Sequence, residues 1–255
     1  MTETLTVALV QGASSLDPVA NRAALAAGTP DGADLVMFPE AFQRDFGEPG
    51  SDLAPHAEPV DGPFGTALAE AAAAHATTVV AGMFETSPDP ARPWNTLLAR
   101  GEADAAYRKI HLYDSFGYRE SDRVRSGDPE PVVVEIGGFR VGLMTCYDLR
   151  FPELGRLLVD AGAEVLVVPA AWVTGPHKLD HWRTLVRARA IENTAYVVAV
   201  GQPGPRYTGH SMVVDPLGTV LAEAGSDEET LLVTFTRAGL VEARRTNPSL
   251  LNRRL

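Results

Sequence analysis

The sequence predicts an α/β fold in which mixed β-sheets are covered by helices. Short apolar runs typical of strands alternate with alanine-rich runs of helical spacing through most of the 255 residues. Hairpins lie between these units, and no change in composition marks a linker. Alternating strands and helices favour parallel pairing, and hairpins add antiparallel strands, so we expect one mixed sheet or two, with helices on one face of each. We therefore expect residues 1–255 to form a single domain.

The first half of the chain begins with a strand and then alternates helices with further strands. Alanine-rich segments of helical spacing predict helices at 19–27 and 64–76, and Gly28 ends the first of them. Apolar runs predict strands at 5–10, 34–38, 77–84, 94–100 and 105–111. The last two strands are joined by a short polar turn, so they form a hairpin.

The second half of the chain begins with a long charged loop at 113–131, which in a compact domain usually indicates function or mobility. Gly137 and Gly138 then predict a hairpin turn between two strands. Further apolar runs and helical spacings complete the pattern, with strands at 132–136, 139–144, 164–168, 195–200 and 231–235, helices at 153–161 and 178–192, and a hairpin turn at 215–218.

Composition and charge restrict the class of partner. The formal charge of −11 would repel nucleic acid phosphates and anionic membrane surfaces, so we expect a small-molecule partner. No apolar run approaches the roughly 20 residues that cross a bilayer, and the polar first residues do not resemble a signal peptide. One cysteine cannot form an internal disulfide, and nothing indicates an oxidising compartment. We expect a cytoplasmic protein.

The only cysteine, Cys146, occupies a position typical of reactive groups. It follows the apolar run 141–145, and Pro152 begins a predicted helix shortly after it. Ligands and reacting groups collect at the carboxyl ends of strands in sheets flanked by helices. A nearby helix N-terminus would also favour thiolate over thiol. A lone cysteine is, however, often a small buried apolar residue, so Cys146 by itself leaves both interpretations open.

Two further polar residues also follow apolar strand runs directly. Glu40 comes after residues 35–39, and Lys109 comes after residues 105–108. A carboxylate beside a thiol can take its proton, and a lysine beside both can stabilise an oxyanion. Taken singly, Glu40 could be an ordinary loop carboxylate and Lys109 a solvated lysine at a strand edge. Together with Cys146 they form a candidate catalytic set from three separate elements.

Six segments, in order along nearly the whole chain, resemble the signature segments of the nitrilase superfamily of carbon–nitrogen hydrolases. They are FPEAF at 38–42, YRKIHL at 107–112, LMTCYDLRFPE at 143–153, PAAW at 169–172, RARAIEN at 187–193 and GHSMVVDPLG at 209–218. The resemblance implies a four-layer αββα sandwich with a Glu–Lys–Cys site. Members of this family commonly pair through a helix near the nucleophile, so the resemblance also implies a homodimer or a higher homo-oligomer.

The resemblance assigns a role to each residue of the candidate set. Cys146 would be the nucleophile, Glu40 the general base, and Lys109 the cation that stabilises the tetrahedral intermediate. Glu120, in the loop after the lysine segment, matches the family's second glutamate, which would orient Lys109 and share in proton transfer. The backbone N–H of Tyr147 would be a second oxyanion donor. A thiol next to the Glu–Lys pair is expected to lose its proton easily. This chemistry needs neither a metal nor a cofactor.

The segment around Cys146 is closer to the omega-amidase and deaminated-glutathione amidase branch than to true nitrilases, which usually carry tryptophan after the cysteine. We therefore expect an amidase that releases ammonia from a small linear carboxamide through a cysteine thioester. An N-carbamoyl amino acid hydrolase is the nearest enzymatic alternative. A catalytically idle member that binds a metabolite is another, although such a member has no physical reason to retain the whole set.

Several residues are candidates for contacts with the substrate. Arg150, His177 and Lys178 could bind a substrate carboxylate, and Trp172 could line the pocket or belong to the core. Arg150 could instead form an ion pair with Asp148 that fixes the nucleophile loop.

Two histidines at the start of the predicted helix 178–192 are candidates for a zinc site. His177 and His181 are four residues apart, a spacing that can bind zinc. Lys178, however, stands where a zinc protease would carry its glutamate. A helix face at the mouth of the site is therefore the favoured interpretation.

Overall fold

The computed structural model describes residues 3–254, and the fold is built from strands and helices that alternate as the sequence predicts. The strands are β1 (Thr4–Gln11), β2 (Leu35–Met37), β3 (Thr78–Glu85), β4 (Trp94–Arg100), β5 (Ala105–Arg108), β6 (Asp114–Ser115), β7 (Tyr118–Arg119), β8 (Val133–Ile136), β9 (Phe139–Leu143), β10 (Val165–Ala170), β11 (Tyr196–Gly201), β12 (Met212–Val214), β13 (Val220–Glu223) and β14 (Glu229–Thr236). The α-helices are α1 (Pro18–Gly28), α2 (Pro63–His75), α3 (Pro152–Asp160), α4 (Lys178–Asn193), α5 (Arg237–Thr246) and α6 (Ser249–Asn252). Short 3₁₀ helices span Ala54–His56, Glu120–Asp122 and Cys146–Arg150.

Two six-stranded mixed sheets organise the fold. The first has the strand order β14-β1-β2-β3-β4-β5, and the second has the order β13-β12-β11-β10-β9-β8. In each sheet three parallel strands, β1–β3 or β9–β11, are flanked by antiparallel strands. The two sheets therefore have the same plan, and the carboxyl ends of their parallel strands can present side chains to a common site.

The alternation of apolar residues along the strands arranges the molecule in four layers. Leu9 of β1 lies in the core between the sheets together with Phe139 of β9. The next residue, Val10, faces the opposite side, where it packs with Leu25 of α1 and Phe64 of α2. Helices α3 and α4 bury their apolar residues on the second sheet. The order is helix, sheet, sheet, helix, which confirms the αββα sandwich.

The structure differs from the sequence-based prediction in several local elements. The strand predicted over 105–111 ends at Arg108: Lys109 N still donates to Asn95 O of β4, but Lys109 O accepts from Gly127 N outside the sheet. The charged loop 113–131 contains the β6–β7 hairpin, and helices α5 and α6 follow the last predicted strand. None of the helices in residues 3–254 has the length and apolar character needed to cross a membrane.

Candidate active site

Both sheets contribute to one cluster of polar residues at the ends of their strands. Glu40 lies shortly after β2, Lys109 directly after β5, and Cys146 shortly after β9. Ala171, directly after β10, brings a backbone N–H to the same place, where it donates to Glu40 Oε2 over 2.8 Å. The three residues that the sequence singled out are therefore brought together at the carboxyl ends of strands.

Lys109 is held between two buried carboxylates. Its Nζ lies 2.9 Å from Glu40 Oε1 and 2.9 Å from Glu120 Oε2, and each of the three side chains is at most 2% exposed. Burial would lower the pKa of Lys109, but the charges of Glu120 and Glu40 raise this pKa well above its usual value. Lys109 is therefore a fixed ammonium at the centre of the cluster.

The Glu40 carboxylate is kept ionised by its donors. Burial would raise its pKa, but the Lys109 charge and hydrogen bonds from Lys109, Ala171 N–H and the Cys146 thiol outweigh burial, so the pKa of Glu40 is lowered. Gln202, at the end of β11, fixes the backbone by donating from Nε2 to Glu40 O over 3.0 Å. Glu40 thus has the charge and the position of a proton acceptor.

Gly82 on β3 allows Glu40 to lie against the first sheet. A Cβ at this position would lie 2.7 Å from Glu40 Cα and 2.5 Å from Ala41 N, closer than real Cβ atoms approach backbone. Ala41 also has a positive φ of 55°, which turns the chain immediately after Glu40. The Glu40 carboxylate can therefore occupy its position only because the neighbouring strand carries a glycine at this point.

The Cys146 thiol is protonated in the resting site. Burial and the charge of Glu40 raise the pKa of Cys146 well above its usual value, and the opposing effect of Lys109 is smaller. The expectation that this thiol loses its proton easily is therefore wrong, because two carboxylates and burial outweigh one ammonium. The nearest helix is the five-residue 3₁₀ helix Cys146–Arg150 rather than α3. Cys146 has a φ of 47°, a sparsely populated conformation that often marks a functional residue.

The structure adds one residue that sequence reasoning missed. Asn95, 1% exposed on β4, donates from Nδ2 to Glu40 Oε1 over 2.8 Å and to Glu120 Oε1 over 3.0 Å. Glu120, in the 3₁₀ helix Glu120–Asp122, also accepts from Tyr113 N over 2.7 Å. The only sequence signal of Asn95 is a polar residue inside an apolar strand run, which is too common to single it out.

The turn after Cys146 is fixed by Asp148, though not through the expected ion pair with Arg150. The fully buried carboxylate of Asp148 accepts from Tyr107 Oη over 2.7 Å, His111 Nδ1 over 2.8 Å and Thr145 N over 2.9 Å. The ion pair is wrong because Asp148 points into the protein, toward the end of β5. This carboxylate joins the strand that carries Lys109 to the turn that carries Cys146.

Two cations and several aromatic rings form one side of the site. The Arg150 guanidinium lies 4.9 Å from the centre of the Trp172 ring, and Lys178 Nζ lies 2.8 Å from Tyr113 Oη. Among residues 3–254, neither cation forms an ion pair with a carboxylate. Burial and the Arg150 charge lower the pKa of Lys178. Trp172 is buried, with its Nε1 donating to Lys178 O over 2.9 Å, so it both packs in the core and borders the cations.

Tyr147 borders the same region, and His177 lies next to Lys178 at the N-cap of α4. His177 is exposed, and its ring centre lies 6.4 Å from that of His181. Tyr147 lies in the first turn of the 3₁₀ helix that begins at Cys146, and its ring packs edge-on against Tyr113 at 5.0 Å. Within residues 3–254, no group of three or more His, Cys, Asp and Glu side chains is arranged to hold a metal ion.

Comparison with known sequences gives two kinds of match. A sequence model of the family described as carbon–nitrogen hydrolase matches residues 6–245. The deaminated glutathione amidase of Escherichia coli is 46% identical over 167 residues, which cover 65% of this chain and 64% of that protein. The 2-oxoglutaramate amidase of Paenarthrobacter nicotinovorans is 36% identical over 236 residues, which cover 87% of this chain and 79% of that protein.

A solved structure supports the same relationship at the level of the fold. A superfamily protein from Xanthomonas campestris, crystallised with an arsenic adduct in its active site, has a TM-score of 0.88 and 31% sequence identity. The match covers 99% of this chain and 98% of that one. These matches confirm the resemblance inferred from the six ordered segments of the sequence.

Proposed function

Because this chain belongs to the carbon–nitrogen hydrolase family, we propose that it is an amidase with Cys146 as nucleophile, Glu40 as base and Lys109 as oxyanion stabiliser. The observation that carries the proposal is the buried Lys109 ammonium, 2.9 Å from both Glu40 and Glu120, beside the only cysteine. An ionised base, a fixed cation and a thiol in one buried site are what acyl transfer to sulfur requires.

The first half-reaction forms a thioester. Glu40 takes the thiol proton of Cys146 as the sulfur attacks the amide carbon, and negative charge develops on the carbonyl oxygen. The Lys109 ammonium and the Tyr147 N–H stabilise this oxyanion, because N–H groups in the first turn of a helix have no acceptor within it. Glu40 then passes its proton to the leaving nitrogen, the C–N bond breaks, and ammonia departs.

The second half-reaction regenerates the thiol. Glu40 takes a proton from water as the water oxygen attacks the thioester carbon, and the same donors stabilise the second oxyanion. The C–S bond breaks, Cys146 recovers the proton from Glu40, and the carboxylic acid product leaves. Glu120 holds Lys109 in place throughout, which is a positioning role.

The basic side of the site favours a substrate that carries a carboxylate. Burial and then the nearby Arg150 charge lower the pKa of Lys178, and an anion between the two cations would relieve their repulsion. We therefore propose that the substrate is a linear carboxamide of a small acid with a carboxylate away from the amide. In this proposal His177, which is exposed at the N-cap of α4 next to Lys178, contacts the outer end of such a substrate.

A substrate panel tests the proposed function. We expect ammonia release from omega-amides of dicarboxylic acids, and little or none from N-carbamoyl amino acids or nitriles. Cys146→Ala should abolish release, and an unchanged far-ultraviolet circular dichroism spectrum would show that the variant is folded. Preferred turnover of N-carbamoyl acids would favour the carbamoylase alternative. No turnover of any compound in the panel would favour an idle, metabolite-binding role.

The homodimer or higher homo-oligomer and the cytoplasmic location stay predictions. Light scattering of the purified chain tests the oligomeric state, and a molar mass of a single chain at micromolar concentration would contradict it.

A further inference from the structure

Asn95 is hydrogen-bonded to both carboxylates of the candidate catalytic cluster and to the main chain of Lys109. Its Nδ2 lies 2.8 Å from Glu40 Oε1 and 3.0 Å from Glu120 Oε1, and its backbone O accepts from Lys109 N over 2.8 Å. A single primary amide has two N–H bonds, so one can point to each carboxylate. Asn95 lies on β4, which is next to the strand that carries Lys109.

The orientation of the amide follows from its surroundings. If Oδ1 faced Glu40 and Glu120, three acceptors would meet without a hydrogen between them. With Nδ2 facing the carboxylates, Oδ1 is left buried and has no hydrogen-bond partner among residues 3–254. A buried acceptor without a partner destabilises a folded protein. An apolar side chain of the same size would avoid that cost, so the geometry indicates a role in the site rather than in folding.

We propose that Asn95 is a positioning residue that clamps Glu40 and Glu120 on either side of Lys109 and keeps Glu40 ionised as the base. The inference rests on the proposed function, in which Glu40 takes the proton of Cys146. Two carboxylates that share one ammonium repel each other, and one of them would tend to bind a proton. The two N–H bonds of Asn95 offset that repulsion without adding a second cation, which would compete with Lys109 for the oxyanion.

Four titratable groups face Glu40, and their pKa values decide which of them can change protonation in a pH titration of the site. They are Lys109 from the end of β5, Glu120 from its 3₁₀ helix, Cys146 from the end of β9 and Tyr207 from the loop after β11. The pKa values of Lys109, Cys146 and Tyr207 are all raised. Below neutral pH, therefore, none of these three groups titrates, and Glu40, whose pKa is lowered, is the group whose protonation the experiment follows.

The rate at which iodoacetamide alkylates Cys146, measured against pH, tests the role of Asn95 without an amide substrate. Cys146 is the only cysteine in the chain, so the rate of alkylation reports this site alone. Below neutral pH the rate should fall as Glu40 becomes protonated and can no longer take the thiol proton. We call this fall in the alkylation rate at low pH the acidic limb. Asn95→Leu removes both N–H donors at similar size, and we expect it to shift the midpoint of the acidic limb to a higher pH by about one unit. Asn95→Asp should move the limb in the same direction and further, because it adds a third carboxylate.

Thr96→Val is the matched control. Thr96 is the next residue of β4, is equally buried, and donates to Glu85 rather than to the cluster. We expect Thr96→Val to keep the acidic limb of the wild-type chain. Thermal unfolding of each variant shows whether it is folded. A folded Asn95→Leu with the wild-type limb, or a Thr96→Val with the same shift as Asn95→Leu, would overturn the proposal.

A measurement on the unmodified chain keeps the test independent of folding defects in the variants. In nuclear magnetic resonance spectra, the two Nδ2 protons of Asn95 should be protected from exchange and should shift with the same midpoint as the alkylation limb. Fast exchange, or shifts that do not follow this midpoint, would overturn the clamp. If Asn95→Leu shifts the acidic limb and the Nδ2 protons are protected, but the chain hydrolyses no amide, only the proposed function would be overturned.

Discussion

At the scale of single residues, the chemistry depends on which side chain holds the proton before substrate arrives. Cys146 is a thiol because burial and Glu40 raise its pKa, and Glu40 is a carboxylate because Lys109 and several hydrogen bonds lower its pKa. In the proposed mechanism, the base is therefore already deprotonated and can take a proton, while the nucleophile is still neutral. A neutral buried thiol is also less reactive toward other electrophiles than a thiolate would be.

Lys178 gives a test of substrate selectivity. We expect Lys178→Met to raise KM for an omega-amide that carries a carboxylate about tenfold to a hundredfold, because a charge-assisted contact is lost. The KM of an uncharged amide should change little. Steady-state kinetics on the two amides measures the difference, and an equal rise in both KM values would contradict a role in carboxylate binding.

The pH dependence of the same contact has a definite sign. The cationic form of Lys178 exists below its pKa, which burial and Arg150 lower. As pH rises through this lowered pKa the cation is lost, so KM for the carboxylated amide should rise at a lower pH than an ordinary lysine would give. Lys178→Arg, whose guanidinium stays charged, should keep KM flat over that range. A wild-type KM that is flat up to the pH at which ordinary lysines titrate would contradict this.

The sequence predicts some residues of the site and not others, for physical reasons. Glu40, Lys109 and Cys146 could be found because each follows an apolar strand run, and strand ends are where sites form. The partners of Asp148 could not be found, because Tyr107 and His111 meet it only through packing of one sheet on the other. Local spacing carries no information about that contact.

At the scale of elements, the position of the base depends on how closely two strands approach. Residues 39–41 lie over β3 at Gly82, where Pro39 O accepts from Gly82 N over 3.2 Å and Gln43 N donates to Gly82 O over 3.0 Å. A side chain at this point would collide with the backbone of Glu40 and Ala41, so Glu40 would have to move. The geometry of the cluster is therefore built into the first sheet.

Gly82→Ala tests this dependence. A displacement of Glu40 by about 1 Å should lower kcat by about a hundredfold, because reacting groups tolerate little misplacement. Gly225→Ala is the control, since a Cβ there has no atom within 4 Å, and it should keep wild-type kcat. Steady-state kinetics with thermal unfolding of both variants checks the result. A folded Gly82→Ala with unchanged kcat would show that the close approach is not required.

Strands and helices with a clear periodic pattern of apolar residues could be predicted from the sequence. Short or polar elements could not. The apolar strands and the alanine-rich helices have clear patterns. Helix α5 was missed because only Leu240 and Ala243 are buried in it, which leaves too little apolar pattern. The 3₁₀ helix Cys146–Arg150 has five residues, fewer than a periodic signal needs.

At the scale of the whole molecule, the site exists only because two sheets pack face to face. The first sheet carries Glu40 and Lys109, and the second carries Cys146. Phe235 of β14 helps to join them, since its ring lies 4.1 Å from the centre of the Tyr196 ring and 6.0 Å from that of Phe139. The local sequence pattern could not decide between one sheet and two. Strand pairing such as that of β14 with β1 joins opposite ends of the chain, and local spacing does not report it. The four-layer order came from the resemblance.

Phe235→Ala tests the joint between the sheets. We expect the free energy of unfolding to fall by about 3–5 kcal/mol, because the change leaves a cavity in the core. Leu232→Ala on the same strand, where Leu232 is 59% exposed, should cost no more than about 0.5 kcal/mol. Urea unfolding of both variants measures the two values, and equal losses would contradict the role of Phe235.

Mass spectrometry of the intact chain, quenched in acid during turnover of an omega-amide, tests the central claim most directly. The proposed chemistry predicts an added mass equal to the acyl group without ammonia, located on Cys146 by peptide mapping and absent from Cys146→Ala. Glu40→Gln should form no adduct, because nothing takes the thiol proton. Turnover of the amide by Cys146→Ala, or acylation at another residue, would contradict the account.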